Sequence, residues 1–343
     1  MRVIHLMSTN DYSGAENVVF NIIKGTENKV DVYYATQRGK ITEFLDNWNI
    51  KNVIYINKLS ISEIKRIERE YKPDIIHAHD YKATVMASIA VKNTKVISHL
   101  HNNSPWIKNI FHPYTWALLV ASLRISKILT VSEAIKKEYV FSKLISSKIE
   151  NVSNPVSIKS IQEKAGTNNE KLYDICFVGR LTEQKNPLRF INIIKQVKQN
   201  ISNVRVIILG DGELKEICKQ TINKLELTDN IQLLGFKKNP YKYMAKSKVF
   251  CLTSKWEGFG LVAFEALSLG VPTIVSNVGG LVDIVNEQCG KICKSDEEFL
   301  KEIIDILKYE NVYKEKSKNA IQRANQLDNY KQYMERIIYT YKK

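Results

Sequence analysis

The chain has 343 residues, of which 44% are hydrophobic and 25% are charged. This length suits two domains of ordinary size, and the near-average composition excludes collagen-like, low-complexity and wholly disordered chains. Because 51 Lys and Arg face only 36 Asp and Glu, the formal net charge is +15, which leaves nucleic acid, an anionic membrane and phosphorylated substrates open as partners.

Short apolar strands alternate with amphipathic segments along the first half of the chain. This alternation predicts a parallel sheet covered by helices on both faces. The predicted helices include Ala15–Lys24 and Ser62–Glu70. The predicted strands are Val3–Met7, Val30–Ala35, Val53–Ile56, Asp74–Ala78, Val96–Leu100 and Ile128–Val131.

The pattern pauses at Asn154–Asn169, whose Asn-Pro start and polar end indicate a linker, and then restarts. The last segment, Glu310–Lys343, is helical and charged. The sequence therefore predicts two doubly wound α/β domains, at residues 1–160 and 161–324, with a C-terminal helix at about 325–343 that packs back on the first. The second set of predicted elements comprises strands Tyr173–Val178, Val204–Leu209, Ile231–Leu234, Val249–Leu252 and Thr273–Ser276 and helices Pro187–Lys198, Leu214–Lys224 and Val262–Leu269.

Five cysteines without a tight pair fit a reducing cytosol. The apolar stretch at the N-terminus is too brief for a signal peptide, and no run approaches the ~18–20 apolar residues of a spanning helix. We therefore expect any work at a membrane to take place on its cytosolic face.

The basic excess is concentrated in residues 81–149, where ten Lys and Arg stand against two Glu. The same stretch is rich in aromatic residues, and rings that enter the headgroup zone beside cations are typical of an interfacial membrane contact. A core helix with a solvated basic face is the alternative. The candidates for acceptor or membrane contact are His79, Trp106, Lys108, Trp116 and Arg124.

Two His-x-His pairs end predicted strands of the first domain, at His77/His79 and His99/His101. Such pairs are compatible with a metallohydrolase, but no later His or bridging Asp supports one. We interpret His77 as a core histidine. A polar role at the mouth of the sheet suits His101, which leaves its strand into a loop.

The turn after the first strand contains Ser13-Gly14-Ala15-Glu16 and no G-x-G-x-x-G, so a nicotinamide site is not supported. Ser13 and Glu16 fit a capping box. Gly14 before a helix equally permits close approach of the backbone to an anion, and both interpretations stay open.

The second domain carries cations at a strand-to-helix turn. Arg180 follows the strand Tyr173–Val178, and the segment Gln184-Lys185-Asn186-Pro187 opens a helix. The planar guanidinium of Arg180 and the mobile ammonium of Lys185 are therefore both placed near a helix N-terminus. That combination suits a diphosphate, although two solvated cations remain the plain alternative. A tight Gly210-Asp211-Gly212-Glu213 turn follows the next strand, and Phe236 stands where an exposed ring could flank a base.

The most specific signal is the segment Glu257 to Glu265, with glycines at 258 and 260. The glycines place Glu257 in a loop and Glu265 in the following helix. Free N–H groups around Phe259, Gly260 and Leu261 then face the same cleft as a helix N-terminus. One carboxylate can bind sugar hydroxyls and the other ribose hydroxyls, with phosphate between them.

These motifs, in this order over nearly the whole chain, resemble the family 4 glycosyltransferases of the GT-B fold. The resemblance implies two Rossmann-like domains facing across a cleft and a retaining transferase that uses a nucleotide-sugar donor. It assigns the diphosphate to Arg180 and Lys185, the ribose to Glu265 and the donor sugar to Glu257. From the first domain it implies that His101 faces that sugar and that Gly14 lets the loop approach the phosphates.

No D-x-D occurs among the Asp residues, so we expect neither a chelated metal nor another cofactor. A Lys-, Asn- and Ile-rich chain suggests a bacterial source, in which such enzymes build surface polysaccharides on lipid carriers. We expect a UDP-sugar donor, a lipid-linked or saccharide acceptor, and a cytoplasmic protein in peripheral contact with the plasma membrane. The alternatives are a nucleotide-sugar 2-epimerase of the same fold and a basic nucleic-acid-binding protein, for which no reading motif is present.

Overall fold

The computed structural model describes residues 1–167 and 170–343 and divides them into two compact units. The first unit is formed by Met1–Pro155 together with Asn329–Lys343, and the second by Val156–Asp328. The chain therefore leaves the first unit once and returns to it with its last helix.

The first unit contains a parallel sheet of seven strands, all within residues 1–167, in the order β3-β2-β1-β4-β5-β6-β7. The order reverses beside β1, which pairs with both β2 and β4, so a doubly wound sheet is formed with its switch point between β1 and β4. The strands are β1 (Arg2–Leu6), β2 (Asp31–Gln37), β3 (Val53–Ile56), β4 (Ile75–Ala78), β5 (Lys95–Leu100), β6 (Ile125–Thr130) and β7 (Ile149–Asn151).

Helices connect consecutive strands of this sheet, and each of them buries part of its surface. Several begin at a side chain that accepts a backbone N–H, such as Ser60 before Ile61 and Asp80 before Tyr81, because these caps satisfy donors that the first turn leaves free. The helices of this unit are α1 (Gly14–Thr26), α2 (Ile41–Asn47), α3 (Ile61–Tyr71), α4 (Tyr81–Ala90), a 3₁₀ turn (Pro105–Lys108), α5 (Pro113–Ser122), α6 (Glu133–Glu138) and, from the C-terminus, α15 (Tyr330–Lys342).

The second unit repeats the architecture. Its described residues form a parallel sheet of six strands in the order β10-β9-β8-β11-β12-β13, and the switch point lies between β8 and β11. The strands are β8 (Tyr173–Val178), β9 (Val206–Leu209), β10 (Ile231–Gly235), β11 (Ser247–Leu252), β12 (Thr273–Ser276) and β13 (Gly290–Cys293). The helices are α7 (Ile158–Ala165), α8 (Pro187–Asn200), α9 (Lys215–Lys224), α10 (Tyr241–Met244), α11 (Leu261–Ser268), α12 (Leu281–Ile284), α13 (Asp296–Lys308) and α14 (Glu310–Leu327).

The predicted linker at Asn154–Asn169 is wrong over most of its length. Ser157 caps α7 there, and Ile158 and Ile161 are buried within the second unit, so the segment is packed structure. The unit boundary falls between Pro155 and Val156. Asn168 and Asn169, the end of the predicted linker, lie outside the described residues.

Two edge strands, β7 and β13, were not predicted. Each is short and contains a charged residue: β7 reads Ile-Glu-Asn, and β13 reads Gly-Lys-Ile-Cys. Neither shows the apolar run that marked the central strands, because an edge strand has only one neighbour and need not be apolar on both faces.

Candidate functional site

The carboxyl ends of β8, β9 and β11 in the second unit carry most of the predicted site residues. In doubly wound sheets a ligand binds beyond these ends, beside the strand at which the order reverses. Here the reversal lies between β8 and β11. The loops after these two strands supply Arg180, Lys185 and Glu257.

The loops after β8 and β9 are fastened together by their backbones. The Leu181 N–H donates to the Asp211 carbonyl at 2.9 Å, and the Leu214 N–H donates to the Leu181 carbonyl at 2.9 Å. The approach is so close that a Cβ on Gly210, whose φ is +143°, would lie 1.8 Å from the Gly179 carbonyl oxygen. The Gly210 motif therefore serves to hold the Arg180 loop in place.

Arg180 is exposed on this fastened loop, and its guanidinium donates to the Gln184 side chain at 3.4 Å. Gln184 in turn donates to the Trp256 carbonyl at 3.1 Å, which ties the loop after β8 to the loop after β11. The cation is thus displayed at the sheet edge, where an anionic ligand can reach it.

Lys185 and Glu257 form an ion pair across the two loops, although they are 72 residues apart in the chain. The side chains are only 14% and 7% exposed. Ser254 donates its hydroxyl to the same Glu257 oxygen at 3.3 Å. The structure therefore brings together a predicted diphosphate ligand and a predicted sugar ligand, with opposite charges in contact.

Glu257 lies in the loop and Glu265 in α11, as the glycine spacing predicted. Gly260 makes the transition with a φ of +94°, and a Cβ there would lie 2.4 Å from Leu281 Cδ2. Phe259 is buried, and among the described residues no side chain caps the first turn of α11 at Leu261. The loop thus enters the helix at a residue that has to be glycine.

Glu265 accepts a hydrogen bond from the Tyr241 hydroxyl at 3.0 Å. Burial raises the pKa of Glu265, and this hydrogen bond opposes the rise. Sequence reasoning missed Tyr241, since α10 carries no motif and the contact forms only through the packing of α10 against α11. Phe236, which directly follows β10, is 52% exposed, and its contact with a base stays a prediction.

The capping box predicted in the first unit is present. Ser13 caps α1, and the Glu16 carboxylate accepts the Ser13 N–H at 2.9 Å. Glu16 is buried and also accepts from the Thr9 hydroxyl at 2.6 Å. Gly14 is exposed at the start of this helix, so its approach to an anion remains a prediction.

Five histidines form a cluster at the carboxyl ends of β1, β4 and β5, in which four rings are fully buried and His101 is half-buried. The β1–β4 register pairs His5 with His77, and the alternation of strand side chains places the other three on the same face. Neighbouring ring centroids are 4.1 to 5.4 Å apart. The members of this histidine cluster are His5, His77, His79, His99 and His101.

Burial lowers the pKa of every ring in the histidine cluster, to about 3 for His5 and His101. The rings are therefore neutral at physiological pH. His77 was interpreted as a core histidine, and it is fully buried with its Nδ1 2.7 Å from the Tyr341 hydroxyl. Its Nε2, however, finds no hydrogen-bond partner among the described residues, so the ring is satisfied on one side only.

The segment from residue 106 to residue 144 exposes large apolar side chains. The exposed fraction is 92% for Phe111, 78% for Leu123 and 72% for Leu144. We call this the aromatic surface; its other exposed members are Ile110, Tyr114, Trp116, Val120 and Val140. Soluble monomers seldom expose so many large apolar groups in one short segment.

Four of the residues predicted to contact a membrane or an acceptor lie in or beside the aromatic surface. Trp106 packs edge-on against Tyr81 with centroids 4.6 Å apart, and Trp116 donates its indole N–H to the Ile110 carbonyl at 2.7 Å. Lys108 pairs with Glu138, and Arg124 donates to the Val91 carbonyl. The remaining candidate, His79, is fully buried in the histidine cluster, so its ring is not available to a bilayer.

None of the helices in the described parts of the chain has both the length and the hydropathy that crossing a bilayer requires.

Two doubly wound units, one with cations and carboxylates at its switch point, are the architecture of the GT-B glycosyltransferases. Comparison with known proteins agrees with this class. A model of glycosyltransferase family 4 matches residues 12–160, and a model of group 1 glycosyl transferases matches residues 158–326. Together the two models match nearly the whole chain, which therefore carries a family 4 and a group 1 glycosyltransferase domain. This confirms the predicted family and fold class.

Relatives and solved structures extend this result. An uncharacterized glycosyltransferase of Methanocaldococcus jannaschii is 33% identical over 62% of this chain and 57% of its own length. A UDP-Gal:alpha-D-GlcNAc-diphosphoundecaprenol alpha-1,3-galactosyltransferase of Escherichia coli is 27% identical over 71% of this chain and 70% of its own. The crystal structure of Anabaena HepE in complex with UDP-glucose matches 99% of both chains with a TM-score of 0.83 at 20% identity, which shows the shared fold.

Proposed function

We propose that this protein is a retaining glycosyltransferase that moves a sugar from a UDP-sugar to a lipid-linked or saccharide acceptor in bacterial surface polysaccharide synthesis. The observation that carries the proposal is the contact between Lys185 and Glu257 at the switch point of the second unit, beside the exposed Arg180. The E. coli relative, whose name specifies a UDP-sugar donor and a lipid diphosphate acceptor, supports the choice of substrates.

The charges of the site suit the departure of a nucleoside diphosphate. As the bond between the sugar and the phosphate breaks, negative charge grows on the phosphate, and Arg180, Lys185 and the N–H groups that begin α11 lower its energy. Glu265, held by Tyr241, binds the ribose hydroxyls. Glu257 binds the donor sugar and gives up Lys185 to the diphosphate.

The retaining course places the acceptor hydroxyl on the same face of the sugar as the leaving group. The new glycosidic bond forms there while the hydroxyl proton passes to the departing phosphate oxygen, so no protein nucleophile is required. In this proposal Arg180 and Lys185 stabilise the negative charge of the diphosphate, as a chelated metal ion would. His101 and Gly14 keep the roles that the family resemblance implies for them.

We further propose that the aromatic surface rests on the anionic, cytoplasmic face of the plasma membrane. Burying one large apolar side chain contributes about 1.5–3 kcal/mol, and nearby lysines add about 1 kcal/mol each near anionic lipid. Residues 81–149 supply both, with ten cations and only two acids. Such a contact would bring a lipid-linked acceptor to the enzyme, and nucleic acid is not among the proposed partners.

A panel of UDP-, GDP- and ADP-sugars tests the donor site. The cognate donor stabilises the fold by about 2.7 kcal/mol at 100 times its Kd, and we expect a UDP-sugar to give the largest thermal shift. Transfer is then measured with a lipid diphosphate sugar acceptor, and the anomeric configuration of the product is read by NMR. A panel without any shift contradicts the proposal, and an inverted product contradicts its retaining course. Epimerisation of the donor without an acceptor would favour the 2-epimerase instead.

Vesicle flotation tests the membrane contact. We expect binding to phosphatidylglycerol vesicles and little binding to phosphatidylcholine vesicles, with a loss of about tenfold per substitution in Phe111→Ser and Leu123→Ser. Ile217, which is 45% exposed in α9 of the second unit, provides the matched control Ile217→Ser. If all three variants float like the wild type, the aromatic surface is not the contact.

A further inference from the structure

The histidine cluster contains more unpaired polar atoms than a packed core normally tolerates. Buried polar atoms are nearly always paired. Among the described residues, both ring nitrogens of His99 and one each of His5, His77 and His101 are buried without a hydrogen-bond partner. Glycosyl transfer, as proposed above, uses only His101 of this cluster, so most of the cluster has no assigned task.

We propose that His5, His77 and His79 bind a divalent transition-metal ion of the zinc class inside the first unit. One ring nitrogen from each of the three lies within 4.8 Å of the others. Nitrogens that share a tetrahedral Zn²⁺ at 2.0–2.1 Å lie about 3.3 Å apart, so shifts of an ångström or so complete the site. Imidazole ligands select zinc, copper and nickel over magnesium and calcium.

The free nitrogens of these rings are of the kind that a metal needs. An imidazole ligates through a nitrogen that carries no proton. The ligand atoms would be His77 Nε2, which is unpaired among the described residues, together with His5 Nδ1 and His79 Nε2. His79 Nε2 is 2.8 Å from His5 Nδ1, close to the separation of two nitrogens on one ion.

Outer contacts already fix the orientation of two of the rings. Tyr341 holds His77 through Nδ1 at 2.7 Å and leaves Nε2 for the ion, while His79 Nδ1 lies 3.1 Å from His101 Nε2. Histidine ligands usually have such a partner on the second nitrogen, which sets the tautomer. The overlapping trio of His79, His99 and His101 is also within reach of one ion, but both nitrogens of His99 lack an anchor.

An ion at this position would join β1 to β4 and, through Tyr341, to α15 of the same unit. Its three protein ligands belong to the first unit and leave one position for water, whereas the proposed diphosphate ligands belong to the second unit. The proposal is therefore independent of the donor chemistry and can fail or succeed on its own.

The test is a Zn²⁺ titration of chelator-treated, dialysed full-length protein, followed by calorimetry and by metal analysis after gel filtration. We expect one Zn²⁺ per chain, and at 100 times the Kd a roughly 100-fold fall in the unfolding equilibrium constant. His5→Gln and His77→Gln should each abolish stoichiometric binding. Tyr341→Phe should weaken binding by about 10–100-fold, the usual effect of losing an outer partner.

Two other histidine variants serve as controls, with circular dichroism confirming the fold of each protein. His112→Gln removes the only histidine outside the cluster, and His99→Gln removes a ligand of the competing trio. Both should keep one Zn²⁺. Failure of the wild type to retain Zn²⁺ would overturn the proposal. So would loss of binding in His99→Gln with retention in His5→Gln, or equal binding in every variant.

Discussion

The ion pair between Lys185 and Glu257 makes a quantitative prediction for Glu257→Gln. Both side chains are nearly buried, so the substitution leaves the lysine charge without its partner. Removing one member of a buried pair costs about 3–5 kcal/mol. Because Lys185 keeps 14% exposure, we expect about 3 kcal/mol, at the lower end of this range. The double variant Lys185→Met/Glu257→Gln removes both charges and should recover most of that loss.

The same substitution should separate nucleotide binding from turnover. Without Glu257 as a competitor, Lys185 is free for the diphosphate, and UDP binding recovers part of the lost energy. If about 1.4 kcal/mol is recovered, UDP binds about tenfold more tightly. Transfer should nevertheless fall by at least about 100-fold, because the donor sugar loses its carboxylate ligand.

Urea denaturation measures the stability change, calorimetry the affinity for UDP, and a radiolabelled donor the rate of transfer. A free energy of unfolding within about 0.5 kcal/mol of the wild type, the range of an ordinary surface substitution, would refute the cost assigned to the unpaired charge of Lys185. A weaker affinity for UDP would refute the competition between Glu257 and the diphosphate. Wild-type turnover would refute the role of Glu257.

Three further substitutions test separate parts of the second unit. Gly210→Ala places a Cβ 1.8 Å from the Gly179 carbonyl oxygen, and we expect a loss above about 2 kcal/mol and weak donor binding, measured by thermal denaturation with and without UDP. Tyr241→Phe removes the hydrogen bond to Glu265, so KM for the donor should rise several-fold with kcat little changed. Burial lowers the pKa of Lys171 to about 8 from 10.5. Between these two pH values the unfolded chain binds a proton on Lys171 that the folded chain has lost. The free energy of unfolding therefore rises as the pH is raised from about 8 to 10.5. The rise is at most ~3 kcal/mol, and Lys171→Met should remove it, as measured by urea denaturation between pH 7.5 and 10. If the free energy of unfolding of the variant rises with pH as it does in the wild type, the prediction is wrong.

Features that depend only on neighbouring residues in the sequence were predictable. The glycines around Glu257 and Glu265 fixed the loop-to-helix transition, because only glycine suits the backbone at 260. Central strands appear in the sequence as apolar runs. The predicted and observed bounds coincide for Tyr173–Val178 and Thr273–Ser276 and differ by one or two residues at an end of several other central strands, such as β1.

Features that depend on packing between distant segments were not predictable in the same way. The partner of Glu265, Tyr241, lies on a four-residue helix without a motif. The two His-x-His pairs were visible in the sequence, but the inclusion of His5 depends on β1 lying beside β4. Helix α7 was not predicted because it lies in a polar stretch of the sequence. It is stabilised by the burial of Ile158 and Ile161 rather than by local propensity.

The return of the chain to its first unit bears on the order of biosynthesis. The second unit, Val156–Asp328, is continuous in sequence, whereas the first needs α15, which follows the whole of the second. During translation the second unit can complete its core as soon as it emerges. The first must wait, with β7 still lacking the contact between Arg336 and Glu150 and with His77 still lacking Tyr341. The half of the protein that is made first is thus the half that is finished last.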